Sequence, residues 1–178
     1  KADPPAKATR KYLTPEELNI LKEKDLHIER LEKVRDVFLF SCYTGLSYAE
    51  IERFTKSHIT HEDNIDWIEI NRLKTDTTSV IPVFPDAKSI LEKYDYKLPV
   101  ITNQKVNAFL KEIQVLCGIN KSLTFHMARH TFATTITLLN GVPIETVSKM
   151  LGHSDLKVTQ IYAKILKQKI KKDTEGLM

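Results

Sequence analysis

The chain has little of what would announce a secreted, membrane-spanning or metal-dependent protein. Of its 178 residues only Cys42 and Cys117 are cysteines. They lie far apart, outside any CxxC pattern or metal-ligand spacing, so no disulfide framework is implied and two reduced, packed thiols are expected. No apolar run approaches the roughly 20 residues that a membrane-spanning helix requires. The opening KADPPAKATRKY is charged and proline-containing rather than built like a signal sequence, so a cytoplasmic protein with no membrane partner is expected. There is no internal repeat or low-complexity segment, nor an acidic cluster suited to a metal. His126 and His130 stand four residues apart, but Met127 occupies the place of the HExxH glutamate and no third ligand is evident, so no metal is expected.

What is present is ordinary in amount and uneven in arrangement. Apolar residues make up 42% and charged residues 28%, enough for one well-cored domain, and the net charge of +4 fits a polyanionic partner without requiring one. Residues 1–11 read as a linker or boundary segment and 12–178 as the folded domain. Thr14-Pro15-Glu16-Glu17 opens a helix with a capping box, running to about Lys24. A second helix from Ile28 to Tyr43 grows more apolar toward its end, breaks at Thr44-Gly45-Leu46, and is followed by a helix from Tyr48 to Phe54. The period then changes: Asp66 to Thr75 and Thr78 to Phe84 alternate as two strands of a hairpin. Helices follow at Asp86–Tyr94, Gln104–Cys117 and Thr124–Leu139. Pro143 to Gly152 is another, and about Asp155–Ala163 and Lys164–Lys172 close the chain. The fold class is α+β, mostly helical, with a small antiparallel sheet packed on a helical core.

The chemistry gathers in the stretch from Leu123 to Ile165. On the helix from Thr124, His126, Arg129 and His130 share one face at i, i+3 and i+4, while Ala128, Phe132 and Leu139 are expected on the core side. His153 follows a glycine break, and Tyr162 lies nine residues beyond it. Arginine, histidines and a tyrosine without a metal cluster suit phosphoryl transfer to a phenol. Fixed cationic donors stabilise the added negative charge of the transition state. The phenol, with a reference pKa of about 10, needs a base or a strongly positive site, and the departing alkoxide needs a positioned acid, a role that suits a lysine.

His126-Met127-Ala128-Arg129-His130-Thr131-Phe132-Ala133-Thr134 and Leu151-Gly152-His153-Ser154 with Tyr162 together resemble the two C-terminal boxes of tyrosine recombinases, the phage-integrase superfamily. Upstream, Thr44-Gly45-Leu46-Ser47-Tyr48-Ala49-Glu50 is similar to their first box, and the likeness extends from about Leu13 onward. It implies a DNA breaking-and-rejoining catalytic fold whose Tyr162 attacks a scissile phosphate to give a 3′-phosphotyrosine. Lys74 would protonate the leaving oxygen, Arg129 and His153 would hold the non-bridging oxygens, and His126 would assist proton transfer. Glu50 would orient His126, and His130 would buttress the site. No cofactor is implied, because the covalent intermediate conserves the bond energy for rejoining. Implied partners are double-stranded DNA recombination sites and further copies of the chain, in a tetramer that exchanges C-terminal helices. Upstream core-binding and arm-binding domains would precede this domain, and the protein would meet the nucleoid when acting.

The departure from the pattern is Ser47, where the family usually has its first catalytic arginine. Strand alternation puts Arg72 on the same face as Lys74, and Arg72 is therefore expected to substitute. The TGLSYAE form with R-x-K-T resembles integrases of Bacteroides-type mobile elements, which implies integration and excision of such an element. Two alternatives stand beside this: a non-catalytic module with a helix-turn-helix at 143–163, and a type IB topoisomerase-like nicking-closing enzyme. His27, His58 and His61 read as surface or packed histidines, and Phe38, Trp67 and Phe132 as core. Lys164, Lys167, Lys169, Lys171 and Lys172 face away from Ile165, Leu166 and Ile170, an arrangement that suits docking on a neighbouring copy.

Overall fold

The structure is a computed structural model that describes residues 11–72, 75–152, 165 and 167–178. Its centre is α2, Glu29–Thr44, which is buried without interruption from Val34 to its end. A helix apolar on so much of its circumference must be enclosed by others, and α4 (Pro85–Lys93), α5 (Asn103–Cys117) and α6 (Phe125–Thr131) pack around it. Phe38, Phe40 and Phe132 are fully buried there, and both cysteines are buried and unpaired. α1, Pro15–Glu23, begins with the expected capping box: Thr14 Oγ1 accepts from the Glu17 amide at 3.2 Å, and Glu17 Oε1 accepts from the Thr14 amide at 3.0 Å. Ahead of it, Tyr12 and Leu13 already belong to the core.

α2 stops at Gly45, whose φ of +73° admits no ordinary side chain without strain. A Cβ there would also stand 2.6 Å from Phe132 Cδ1. The turn releases the chain into the short α3, Tyr48–Glu52. An antiparallel sheet follows in the order β1 (Ile59–Glu62), β2 (Ile65–Asn71), β3 (Thr78–Pro82). The pattern of the sequence revealed the last two strands and not β1, because ITHE has almost no buried face and offers no alternation to read. Its pairing with β2 is set by the Asp63-Asn64 turn, where both residues adopt positive φ. β2 ends at Asn71 and β3 at Pro82, short of the expected Thr75 and Phe84.

The expected continuous helix from Thr124 to Leu139 is also divided. After α6 the backbone widens to a π-helical segment, Phe132–Thr137, then tightens to one 3₁₀ turn, Leu138–Asn140. The widened turn inserts a residue and rotates the following side chains by about 100°. Leu138 therefore takes the core position, 5% exposed, and Leu139 turns outward at 37%, contrary to its expected placement. α7, Ile144–Met150, completes the described bundle. Ile165 and 167–174 are helical, with Ile165 buried and Ile170 exposed. Among the described residues no helix is long and apolar enough to cross a membrane.

Candidate active site

Arg129 projects from α6 into the space between two backbone turns. Its Nη1 donates to the carbonyl of Gly45 at 3.2 Å and its Nη2 to the carbonyl of Leu151 at 3.1 Å. One guanidinium thus ties the end of α2 to the end of α7, a geometry that the planar fork of arginine supplies and lysine does not. On the same helix the rings of His126 and His130 meet edge to face, with centroids 4.7 Å apart. His126 is exposed and His130 is half-buried. Burial, then the neighbouring His126, Lys11 and Arg129, push the His130 imidazole down to about 4. His130 is therefore neutral at physiological pH, an uncharged imidazole rather than a cation.

Arg72 arrives from the sheet. Ile68, Ile70 and Arg72 occupy the inward side of successive pleats, so strand alternation carries the arginine beneath the sheet, where it is 8% exposed. Its Nε donates to Ser79 Oγ at 2.8 Å, and its Nη1 lies 3.3 Å from Glu50 Oε1. Its Nη2 is buried and has no acceptor among the described residues. Buried donors are nearly always paired, so this one marks a place where an acceptor belongs. Burial, followed by the nearby Arg129, pushes the Arg72 guanidinium down to about 10, with Glu50 pulling the other way. It remains charged at neutral pH.

Both arginines end at one corner, Leu151-Gly152. Arg129 holds the Leu151 carbonyl, and a Cβ on Gly152, whose φ is +84°, would stand 2.5 Å from both Cδ and Nε of Arg72. Only glycine lets the hairpin arginine pass so close to this turn. Thr77 Oγ1 also donates to the Gly152 carbonyl, fastening the hairpin to the corner.

Glu50 lies between Ser47 and Arg72. Its Oε2 accepts from the Ser47 amide at 2.7 Å and its Oε1 lies 3.3 Å from Arg72 Nη1, so the carboxylate meets the arginine. Ser47 is the N-cap of α3, its hydroxyl accepting from the Glu50 amide. The structure therefore brings together Arg72, Glu50, Ser47 and Arg129, with His126 and His130 on the adjoining helix face. Lys74, His153 and Tyr162 lie outside the described residues, as does the second half of the expected helix-turn-helix. Among the described residues no group of three or more His, Cys, Asp or Glu side chains is placed to hold a metal ion.

Sequence reading missed Ser79 and Thr77. The signal for Ser79 was available: it is a polar residue in the inward register of β3, two before the buried Ile81 and opposite Ile70. Thr77 gave none, since its partner is 75 residues away.

Comparison with known proteins bears on the same arrangement. Residues 11–169 match the phage integrase family. The tyrosine recombinase XerD of Staphylococcus epidermidis is 40% identical over 72 residues, which is 40% of this chain and 24% of that protein. The chain thus spans about a quarter of the length of such curated relatives. In fold it is similar to XerA recombinase, with a TM-score of 0.68 at 23% identity over 93% of this chain and 64% of that one. It is also similar to a lambda integrase tetramer bound to a Holliday junction, with a TM-score of 0.64 at 18% identity over 84% of this chain and 47% of that one.

Proposed function

The chain belongs to the phage integrase family, and on that premise we propose that it is the catalytic domain, residues 12–178, of a site-specific DNA recombinase. It cleaves and rejoins duplex DNA through a 3′-phosphotyrosine. The observation that carries this reading is the buried Nη2 of Arg72, which has no acceptor among the described residues, beside the Arg129-held corner, where a phosphate oxygen would complete the hydrogen bonding.

In this reading Tyr162 Oη attacks the scissile phosphorus as the bond from phosphorus to the 5′ oxygen breaks. The phenolic proton passes to the imidazole of His126, and Lys74 supplies a proton to the departing 5′ oxygen. Arg72, Arg129 and His153 hold the two non-bridging oxygens, whose negative charge grows in the transition state. Arg72 does the work of the arginine usually found at the position of Ser47, and His130 supports the site as a neutral imidazole. Rejoining is the reverse attack by a 5′ hydroxyl, so the chemistry draws on no nucleotide.

The exposed Ile170 and the basic residues beside it suit exchange of the terminal helix between copies in a tetramer on DNA, as the likeness to the lambda integrase tetramer also invites. Integration and excision of a mobile element, after the Bacteroides-type pattern of the first box and hairpin, is the biological role proposed. The test is a nicked suicide duplex carrying the cognate site. Wild-type protein should accumulate a covalent DNA adduct and Tyr162→Phe none; absence of adduct from the full-length wild-type protein would leave only a DNA-binding module. Recombinant joining of two sites separates strand exchange from simple relaxation.

A further inference from the structure

We propose that Ser79 is a positioning residue for strand cleavage, acting through Arg72 alone. The proposal rests on the reading of Arg72 as a phosphate-binding cation and gives β3 a part in the reaction.

Ser79 is completely buried at an inward position that alternation would give to an aliphatic residue, as it does at Ile81. Its hydroxyl accepts the Nε–H of Arg72 at 2.8 Å, across the hairpin. With Nη1 turned to Glu50, two of the three guanidinium nitrogens are held, and rotation about the Cδ–Nε bond is fixed. Nη2 is the one left without an acceptor among the described residues. The third wall is Gly152, where a Cβ would stand 2.5 Å from Arg72 Cδ and Nε and 2.8 Å from Ser79 Oγ. Arginine, serine and glycine thus interlock with no space for a side chain between them.

The choice of a hydroxyl has an electrostatic consequence. A second carboxylate at this place would fix the guanidinium equally well but would oppose the attraction of Arg72 for a phosphate. A neutral acceptor orients the group and leaves its charge available. An apolar residue would fill the space but strand the Nε–H without an acceptor and let the fork turn.

The test is single-turnover cleavage of the nicked suicide duplex by the full-length protein, with duplex affinity measured in parallel. Ser79→Ala should slow cleavage about tenfold while changing affinity less than twofold. If that variant folds poorly, Ser79→Cys occupies the same place with a weaker acceptor and carries the same expectation. In an Arg72→Lys background, which has no Nε–H to orient, Ser79→Ala should add less than a twofold loss. Cleavage at the wild-type rate by Ser79→Ala overturns the inference and leaves Arg72 untouched. So does a tenfold loss that persists in the Arg72→Lys background, which would make Ser79 merely structural. An Arg72→Lys protein that cleaves at the wild-type rate overturns the reading of Arg72 itself, and this inference with it.

Discussion

Two buried charged clusters in this domain are built in opposite ways. Around Asp36, on α2, both carboxylate oxygens are paired: Oδ1 accepts from Arg35 Nε at 3.3 Å, and Oδ2 accepts from Lys93 Nζ at 2.7 Å and from Tyr94 Oη at 2.6 Å. Arg35 Nη1 continues to the carbonyl of Lys24. The network joins α2 to α4 and to the loop after α1. Around Arg72 the same kinds of groups appear, a carboxylate, a hydroxyl and a guanidinium, but one donor remains unmet among the described residues. A closed network serves the fold, whereas a buried guanidinium donor with no acceptor among the described residues, set beside a second arginine, suits an anionic ligand.

Substitution at each cluster should therefore move different observables. The largest effect is expected for Arg72→Ala: single-turnover cleavage per folded molecule should fall about 10²–10³-fold, a barrier increase of roughly 3–4 kcal/mol, with little change in duplex affinity. Affinity falling in step with the rate would make Arg72 a ground-state backbone contact and erase the contrast. Asp36→Ala should do the reverse, lowering the unfolding free energy by about 3 kcal/mol. Below its unfolding transition its cleavage rate should stay within about twofold of wild type. A slowed rate in the folded protein would show that the α2–α4 network also shapes the site.

A smaller effect concerns His130. Its folded pKa of about 4 lies below the ordinary 6.5, so between those values the unfolded chain binds a proton that the folded chain refuses. The stability that burial of the neutral ring allows is complete above pH 6.5 and is lost as the pH falls toward 4. After discounting for partial exposure, the loss is roughly 2 kcal/mol. His130→Gln should flatten that part of a urea-unfolding pH profile; an unchanged profile would place the acid sensitivity elsewhere. The smallest effect is expected for Ser47→Ala, about 1 kcal/mol of stability from the lost cap, with cleavage within about threefold. A large catalytic loss there would return Ser47 to the phosphate and weaken the case for Arg72.

Legibility in the sequence followed the range of the interactions. The capping box at Thr14 is a four-residue pattern and was readable as such. So was the inward register of Arg72, which continues Ile68 and Ile70 at period two. β1 was not readable, because an edge strand with one half-buried residue carries no periodic signal. Nor was the widened turn after Thr131, which the i, i+4 pattern runs straight through. The threonines there show what holds it. Thr137 Oγ1 donates to the carbonyls of Phe132 and Ala133, while Thr131 and Thr135 take the amide and carbonyl of Leu13, more than a hundred residues distant.

The sequence alone determined the spacing of the boxes, the helical face shared by His126, Arg129 and His130, and the strand face of Arg72, since each depends on local periodicity. Only the tertiary structure decided that Arg72 from the sheet and Arg129 from α6 end at the same Leu151-Gly152 corner. It also decided that Glu50 and Ser79 are the groups that meet Arg72. Those outcomes depend on how the hairpin, α6 and α7 pack, and side-chain packing across such distances leaves no repeat in the chain that a reader could find.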